Sequence, residues 1–395
     1  MIPPFRFARP PELIFGAGAF DGLGNLVDKL GTRVLLVTGE NSLTATGKLD
    51  ALTDDLKGRA IGFIHYSIRG EPSPEIVDDA VAGLSGENID VVLAVGGGSV
   101  IDTGKAISAM YPLHTSVFDY LEGVGTGVEH PGVKVPFLAV PTTAGTGSEA
   151  TKNAVLSRKG PDGFKRSLRH DNFVPDLAVI DPELSLNCPP ELTAVCGLDT
   201  FTQLLESYVS TGSNPLTDAL AFSGLEQVNR NLVPACTDRA GIIEVRAGMA
   251  YASFLSGITL ANAGLGTIHG FASSIGGLFD IPHGVVCGAL MAAANELTIE
   301  GLRKNESANR AFLEKYARIG SLFSESDPSD IRGSCDALIQ KLYQLTEVFR
   351  IPVLNDYGIG SAEIKKIAEE TGNKNNPYEL NSSELREVLL KSNDR

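Results

Sequence analysis

The chain has 395 residues, 43% of them hydrophobic, and its 48 acidic against 33 basic residues leave a formal charge of −15. This length and apolar content exclude a disordered chain or a small stapled scaffold and predict two domains, each with its own core. The acidic balance excludes a nucleic-acid binder, since phosphate backbones are repelled.

The first residues, Met-Ile-Pro-Pro-Phe-Arg, lack the basic-then-apolar pattern of a secretory signal. From residue 33 to about 185, short β-branched runs alternate with helix-like stretches. Val34–Thr38, Val91–Val95, Phe137–Val140 and Leu177–Ile180 are bounded by Gly, Pro or Asp and read as buried parallel strands. Their alternation with helices predicts an α/β doubly wound sheet whose chemistry sits in the loops after the strands. Beyond Cys188-Pro189-Pro190 the pattern turns helical, over Glu191–Thr211, Thr217–Val233, Gly241–Ala261 and Ala308–Phe323, with a polar interruption at Ser324–Asp330. A polar tail from Asn373 ends in a short helix, Ser382–Lys391. The predicted domains are an α/β unit over residues 1–187 and an all-helical unit over residues 188–395. Apolar stretches such as Ile89–Val95 and Val285–Ala294 fall well short of the roughly 20 residues of a spanning helix, so no membrane is expected. The five cysteines have no metal-knuckle spacing and apolar neighbours, which predicts reduced core thiols in a cytoplasmic protein.

Two loops carry phosphate-binding chemistry. Strand Val91–Val95 runs into Gly96-Gly97-Gly98-Ser99, and a helix follows through Asp102 and Lys105. Side-chain-free residues let backbone N–H groups approach an anion, and the helix start adds its positive dipole end. A tight strand-to-helix turn would use the same glycines, and the spacing matches neither the Gly-x-Gly-x-x-Gly fingerprint nor the P-loop. Strand Phe137–Val140 is followed by Pro141-Thr142-Thr143-Ala144-Gly145-Thr146-Gly147-Ser148-Glu149, again hydroxyls and glycines at a carboxyl end. Those hydroxyls suit phosphate, ribose or carboxamide, or a capped helix start at Ser148. Lys165, in a polar hairpin, can reach a ribose or phosphate, although taken alone it reads as a solvated surface lysine.

Two of the six histidines, His269 and His283, lie in glycine-flanked segments fourteen residues apart. Asp199 and Gln203, four residues apart, share one helical face. Asp, Gln and two His can encircle one divalent cation, and this donor set suits iron(II) or zinc rather than calcium. Ordinary hydrogen-bonded core histidines would account for the same spacing.

Taken together, these segments resemble the iron-containing (group III) alcohol dehydrogenase family. Phe15-Gly16-Ala17-Gly18, Gly96-Gly97-Gly98-Ser99 with Asp102 and Lys105, Pro141 through Glu149, Gly197-Leu198-Asp199, His269-Gly270 and Ile281-Pro282-His283-Gly284 occur in the family's order, over nearly the whole chain. The resemblance implies a Rossmann-like amino-terminal domain and a helical, metal- and substrate-binding carboxyl-terminal domain, the dehydroquinate synthase-like architecture. It also implies NAD or NADP in the cleft and a divalent metal, Fe(II) or Zn(II), facing the nicotinamide. By that likeness Gly97, Gly98 and Ser99 hold the pyrophosphate, and Asp102 lies near the nicotinamide. Thr142, Thr143, Thr146, Thr151 and Lys165 line the rest of the cofactor cleft, and Asp199, His269 and His283 are metal ligands.

Three positions depart from the family. Its fourth metal ligand, a His, is Gln203 here, an uncharged oxygen donor that is harder than imidazole. A second family His is Ser273, a poor base that can still relay a proton through water or the cofactor ribose; Ser273 and His283 are the candidate catalytic residues. Where NAD-preferring members place an Asp after the second strand, this chain has Gly39 and then Glu40, so a 2′-phosphate meets no carboxylate at 39. The implied reaction is metal-assisted hydride transfer between a nicotinamide cofactor and a small aldehyde or primary alcohol, in a homo-oligomer of two or more chains. Phe254, Phe271 and Phe279 are candidate pocket walls. Gln203 and Ser273 also fit a metal-free reductase resembling maleylacetate reductases, or a catalytically weakened nucleotide-binding scaffold.

Overall fold

Period-two alternation decides which core each strand residue enters. The computed structural model describes residues 2, 4–160, 162–324 and 326–393. Its strands are β1 (Glu12–Phe15), β2 (Arg33–Gly39), β3 (Gly62–Ile68), β4 (Val91–Gly96), β5 (Phe137–Pro141), β6 (Asn153–Arg158), β7 (Phe164–Arg169) and β8 (Leu177–Ile180). Six of them form one parallel sheet in the order β1-β8-β5-β4-β2-β3, and β6 pairs with β7 as a separate antiparallel hairpin. Leu35, Val37, Val92 and Ala94 enter the core on one face, while Val34, Leu36, Val91, Leu93 and Val95 enter the core on the other. Both faces are covered, which is why these runs are continuously apolar. The edge strand β3 escapes the sequence pattern, because exposed His65 and Ser67 dilute it, and β1 escapes it too, whereas the polar hairpin expected around Lys165 is β6–β7.

The sheet order reverses at β2 and β4. From β2 the chain moves outward to β3, then returns past β2 to β4 and continues through β5 to β8. A ligand crevice opens at the strand carboxyl ends beside such a reversal. Gly39 ends β2 and Gly96 ends β4 at this place, and helix Gly98–Met110 leaves directly from the second turn.

Past Ile180 the described residues form helices and no strand. Helices Pro190–Val209, Pro215–Ala235, Ile243–Ala263, Thr267–Leu278, His283–Arg303, Arg310–Ser324 and Ile331–Val348 bury their apolar sides in one core. Pro190 and Pro215 sit in first turns, where a missing N–H is no loss. The polar interruption expected at Ser324–Asp330 includes position 325, which lies outside the described residues. The terminal helix runs Ser382–Asn393. Helix His283–Arg303 is long and apolar enough to cross a membrane, yet 89% of its most apolar window is buried inside the fold, as in a core helix.

Two glycine crossings join the halves. Gly147 has φ +63°, and a Cβ on Gly257 of helix Ile243–Ala263 would stand 2.1 Å from its carbonyl oxygen. A Cβ on Gly163 would stand 2.0 Å from the Gly277 carbonyl oxygen, so the β6–β7 hairpin lies directly on helix Thr267–Leu278.

Candidate active site

Helix geometry assembles the centre. Asp199, Gln203 and Glu206 project from one face of helix Pro190–Val209, at positions i, i+4 and i+7. His269 lies in the first turn of helix Thr267–Leu278, and His283 opens helix His283–Arg303 after Pro282, with Cys287 one turn further on. Asp199, His269, His283 and Cys287 bring four donor atoms within 4.8 Å of one another. Asp199 Oδ1 stands 3.4 Å from His269 Nε2 and 3.6 Å from His283 Nε2. It is fully buried and lacks a well-directed hydrogen bond. A buried carboxylate oxygen left bare beside two imidazoles and a thiol fits a cation.

Burial and the neighbouring groups set the charges of the centre. Burial pushes Asp199 up, but His283 and His269 outweigh it and bring its carboxyl down to about 2. Burial lowers His283 to about 4, so it is a neutral imidazole with a free lone pair. Burial also opposes a proton on His269, but neighbouring Cys287 and Glu206 prevail and raise it. His269 Nδ1 lies 2.6 Å from Glu206 Oε2, while Glu206 Oε1 accepts from Ile268 N at 2.7 Å. Glu206 thus fixes the ring and supplies the acceptor that Gly266, the cap of this helix, lacks. Sequence reading missed Glu206, although its i+7 spacing from Asp199 was available.

Gln203 is buried against this group, and its Oε1 accepts from Ser256 Oγ at 2.8 Å. Cys287, expected as a plain core thiol, is instead 3.8 Å from both His269 Nε2 and His283 Nε2. Burial pushes its thiol up to about 11. All five cysteines are free; Cys287 and Cys335 are buried, while Cys188, Cys196 and Cys236 are only partly so.

Above the centre, a cavity of about 220 Å³ is lined from both domains. Gly98, Ser99, Asp102, Thr146, Thr151 and Lys165 line it from the α/β domain, and Gln203, His269, Ser273 and His283 from the helical one. Gly39, Gly97, Thr142 and Thr143 lie outside this lining. Gly39 closes β2, Gly97 faces Thr143, and Thr142 is tied to the Gly96 carbonyl by its N–H at 3.0 Å. Nor do Phe254, Phe271 and Phe279 form walls: they belong to the helical core or pack against it. A Cβ on Gly98 would stand 2.6 Å from Thr146 Cγ2, so only glycine fits between the two loops. Asp102 Oδ2 accepts from Val155 N at 3.0 Å, leaving Oδ1 buried without a donor. A glycine cradle at a helix start and an unfilled acceptor in the same cavity fit a dinucleotide with a carboxamide end.

Two further features were not legible in the sequence. Lys165 is no solvated lysine: its ammonium pairs with Glu71 Oε1 at 3.1 Å. Lys374 reaches the cavity from the tail, donating to Ser273 Oγ at 3.3 Å, while Ser273 Oγ donates to the His269 carbonyl at 2.8 Å. Both partners come from distant segments, which local pattern does not encode.

Comparison with known proteins agrees. The sequence profile of the iron-containing alcohol dehydrogenase family matches residues 10–182, and that of the family's C-terminal domain matches residues 193–393. The chain is 32% identical to an NADPH-dependent butanol dehydrogenase of Clostridium saccharobutylicum, over 97% of each chain. It is 31% identical to a 1,3-propanediol dehydrogenase of Citrobacter freundii, over 98% of each. Among solved structures, an archaeal halo-thermophilic Red Sea brine pool alcohol dehydrogenase superposes with a TM-score of 0.89 at 27% identity, covering 99% of this chain and 100% of that one. A 1,3-propanediol oxidoreductase superposes with a TM-score of 0.87 at 30% identity, over 99% and 100%. With the sheet, the helical domain and the carboxylate–histidine centre in place, the chain belongs to the iron-containing alcohol dehydrogenase family.

Proposed function

We propose that this protein is an NAD(P)-dependent alcohol dehydrogenase that interconverts a small aldehyde and its primary alcohol with a divalent metal, iron(II) or zinc. The observation that carries this is the bare, buried Asp199 Oδ1 facing His269 and His283, which themselves line a cavity shared by both domains. When bound, the metal supplies Lewis-acid polarisation of the carbonyl oxygen and the nicotinamide supplies or accepts the hydride.

The chain's own residues bind and orient. Asp199, His269 and His283 hold the cation, with Gln203 beside them, and Glu206 keeps His269 in the tautomer that presents Nε2. Gly97, Gly98 and Ser99 offer backbone donors to the pyrophosphate, and Thr142, Thr143, Thr146, Thr151 and Lys165 border the remaining cofactor path. Asp102 Oδ1, buried without a partner, would accept from the carboxamide of a bound nicotinamide. Lys374 donates to Ser273 Oγ at 3.3 Å, and this ammonium–hydroxyl pair would carry the alcohol's proton between the cavity and solvent. Gly39 leaves room for a 2′-phosphate, in keeping with the NADPH dependence named for the butanol dehydrogenase relative. The working form is a homo-oligomer.

A second reading, a metal-free reductase of an anionic substrate, is favoured by one observation: Lys165, Arg169 and Lys374 all line the cavity. One experiment separates the two. Metal analysis of purified protein accompanies NADH and NADPH oxidation with short aldehydes, before and after chelation. Stoichiometric metal with chelator-sensitive turnover is expected. Turnover without metal selects the second reading, and cofactor binding without turnover leaves only a scaffold.

A further inference from the structure

The donor atoms around Asp199 raise a question of number, because a closed tetrahedral set needs four and the family's fourth is missing. Gln203 stands at that position, but its Oε1, the only atom an amide offers a cation, accepts Ser256's hydroxyl at 2.8 Å. Cys287 comes from the other side. Starting one turn after His283 on helix His283–Arg303, its Sγ reaches 3.8 Å from His269 Nε2 and 3.8 Å from His283 Nε2. We propose that Cys287 Sγ is the fourth protein ligand of the metal, replacing the missing imidazole and completing an Asp199–His269–His283–Cys287 set. This rests on the metal-assisted reading above.

The separations fit the role. Bonds of about 2.0 Å to nitrogen or oxygen and about 2.3 Å to sulfur place tetrahedral donors roughly 3.3 to 3.6 Å apart. The observed edges are 3.4 and 3.6 Å from Asp199 Oδ1 and 3.8 Å from Cys287 Sγ. These four edges meet a cation with shifts of a few tenths of an ångström, and the other two lie within 4.8 Å. Cys287 is fully buried, and Asp199 Oδ1 has no other partner to lose. Coordination releases the thiol proton to solvent, and the thiolate and carboxylate together cancel the charge of a divalent cation. A sulfur donor also moves preference toward zinc and iron(II), away from magnesium and calcium.

Cobalt(II) reports sulfur ligation directly. The purified protein is stripped with a chelator, loaded with one equivalent of cobalt(II), and its absorption is compared with that of Cys287→Ser and Gln203→Ala. The expected result is a near-ultraviolet sulfur-to-cobalt charge-transfer band in the parent and in Gln203→Ala that vanishes in Cys287→Ser. Zinc affinity of Cys287→Ser is expected to fall by more than the roughly 10- to 100-fold typical of losing an outer partner. Visible cobalt bands without the sulfur band in the parent, or a sulfur band that survives Cys287→Ser, overturn the proposal and leave the metal-assisted reading standing. Failure to bind cobalt overturns both. If Cys287→Ser does not fold, zinc-edge X-ray absorption of the parent holoprotein decides: one sulfur at about 2.3 Å supports the assignment, and a nitrogen and oxygen shell alone refutes it.

Discussion

Glu206 shows how one side chain can hold two elements and a function together. Its two oxygens serve His269 Nδ1 and the N–H of Ile268, so the carboxylate caps one helix from another and aims an imidazole. Glu206→Gln keeps the shape but removes the charge that strengthens both bonds. Metal affinity is expected to drop by about 10- to 100-fold with little change in circular dichroism, read by competition with a chelating dye. Glu149 is a residue of the opposite kind. Burial raises its carboxyl to about 7, against an ordinary value of 4.5, and its Oε1 has no partner. Between those two values the folded chain keeps the proton that the unfolded chain has released, so this group makes stability fall as pH rises from 4.5 to 7. Lys105 nearby is lowered by burial from 10.5 to about 8, so its own contribution makes stability rise only at higher pH, from about 8 to 10.5. Glu149→Gln is expected to be more stable than the parent by about 1–3 kcal/mol at pH 8 and to lose the difference near pH 5, measured by urea unfolding at both.

At the scale of elements, glycine decides where segments from the two domains can touch. Gly147 adopts φ +63°, and Gly257 faces its carbonyl so closely that a methyl group would stand at 2.1 Å, against backbone that cannot rotate away. Gly257→Ala is therefore expected to cost about 1–3 kcal/mol, detected as a lower unfolding midpoint. It should also weaken dinucleotide binding, because the displaced turn carries Thr146, which lines the cavity. The glycine-rich composition has this meaning here: helices with glycine on the contact face admit a loop or hairpin at backbone distance. Sequence pattern marks helix Pro190–Val209 and a hairpin around Lys165, but not that the hairpin's strands rest on Gly276 and Gly277 of another domain.

For the whole molecule, the cavity is the joint between two domains. Because Gly98, Ser99 and Asp102 line one side and His269, Ser273 and His283 the other, a ligand filling it couples their unfolding. NADPH or NADH at a hundred times its dissociation constant is expected to stabilise the protein by about 2.7 kcal/mol, raising one common calorimetric transition. Two transitions, of which only one moves, would mean that the domains melt independently.

The sequence alone determined much of this. Apolar runs bounded by glycine, proline and aspartate specified four central strands, because strands buried on both faces tolerate little else, and three- and four-residue spacing specified helices Pro190–Val209, Pro215–Ala235, Ile243–Ala263 and Arg310–Ser324 but not His283–Arg303 or Ile331–Val348. Ordered motifs named Asp199, His269 and His283, and the structure sets these within one cluster. Glu206 and Cys287 were readable in principle as i+7 and i+4 neighbours, but an apolar setting around Cys287 is also what a core thiol has. Only the tertiary structure decided that Cys287 faces the two imidazoles, that Gln203 turns its carbonyl to Ser256, that Lys165 pairs with Glu71 and that Lys374 reaches Ser273. Apart from the Cys287–His283 contact, each of these joins segments distant in the chain. Periodicity records which face of an element is buried, whereas the partner it meets there is set by how the elements pack.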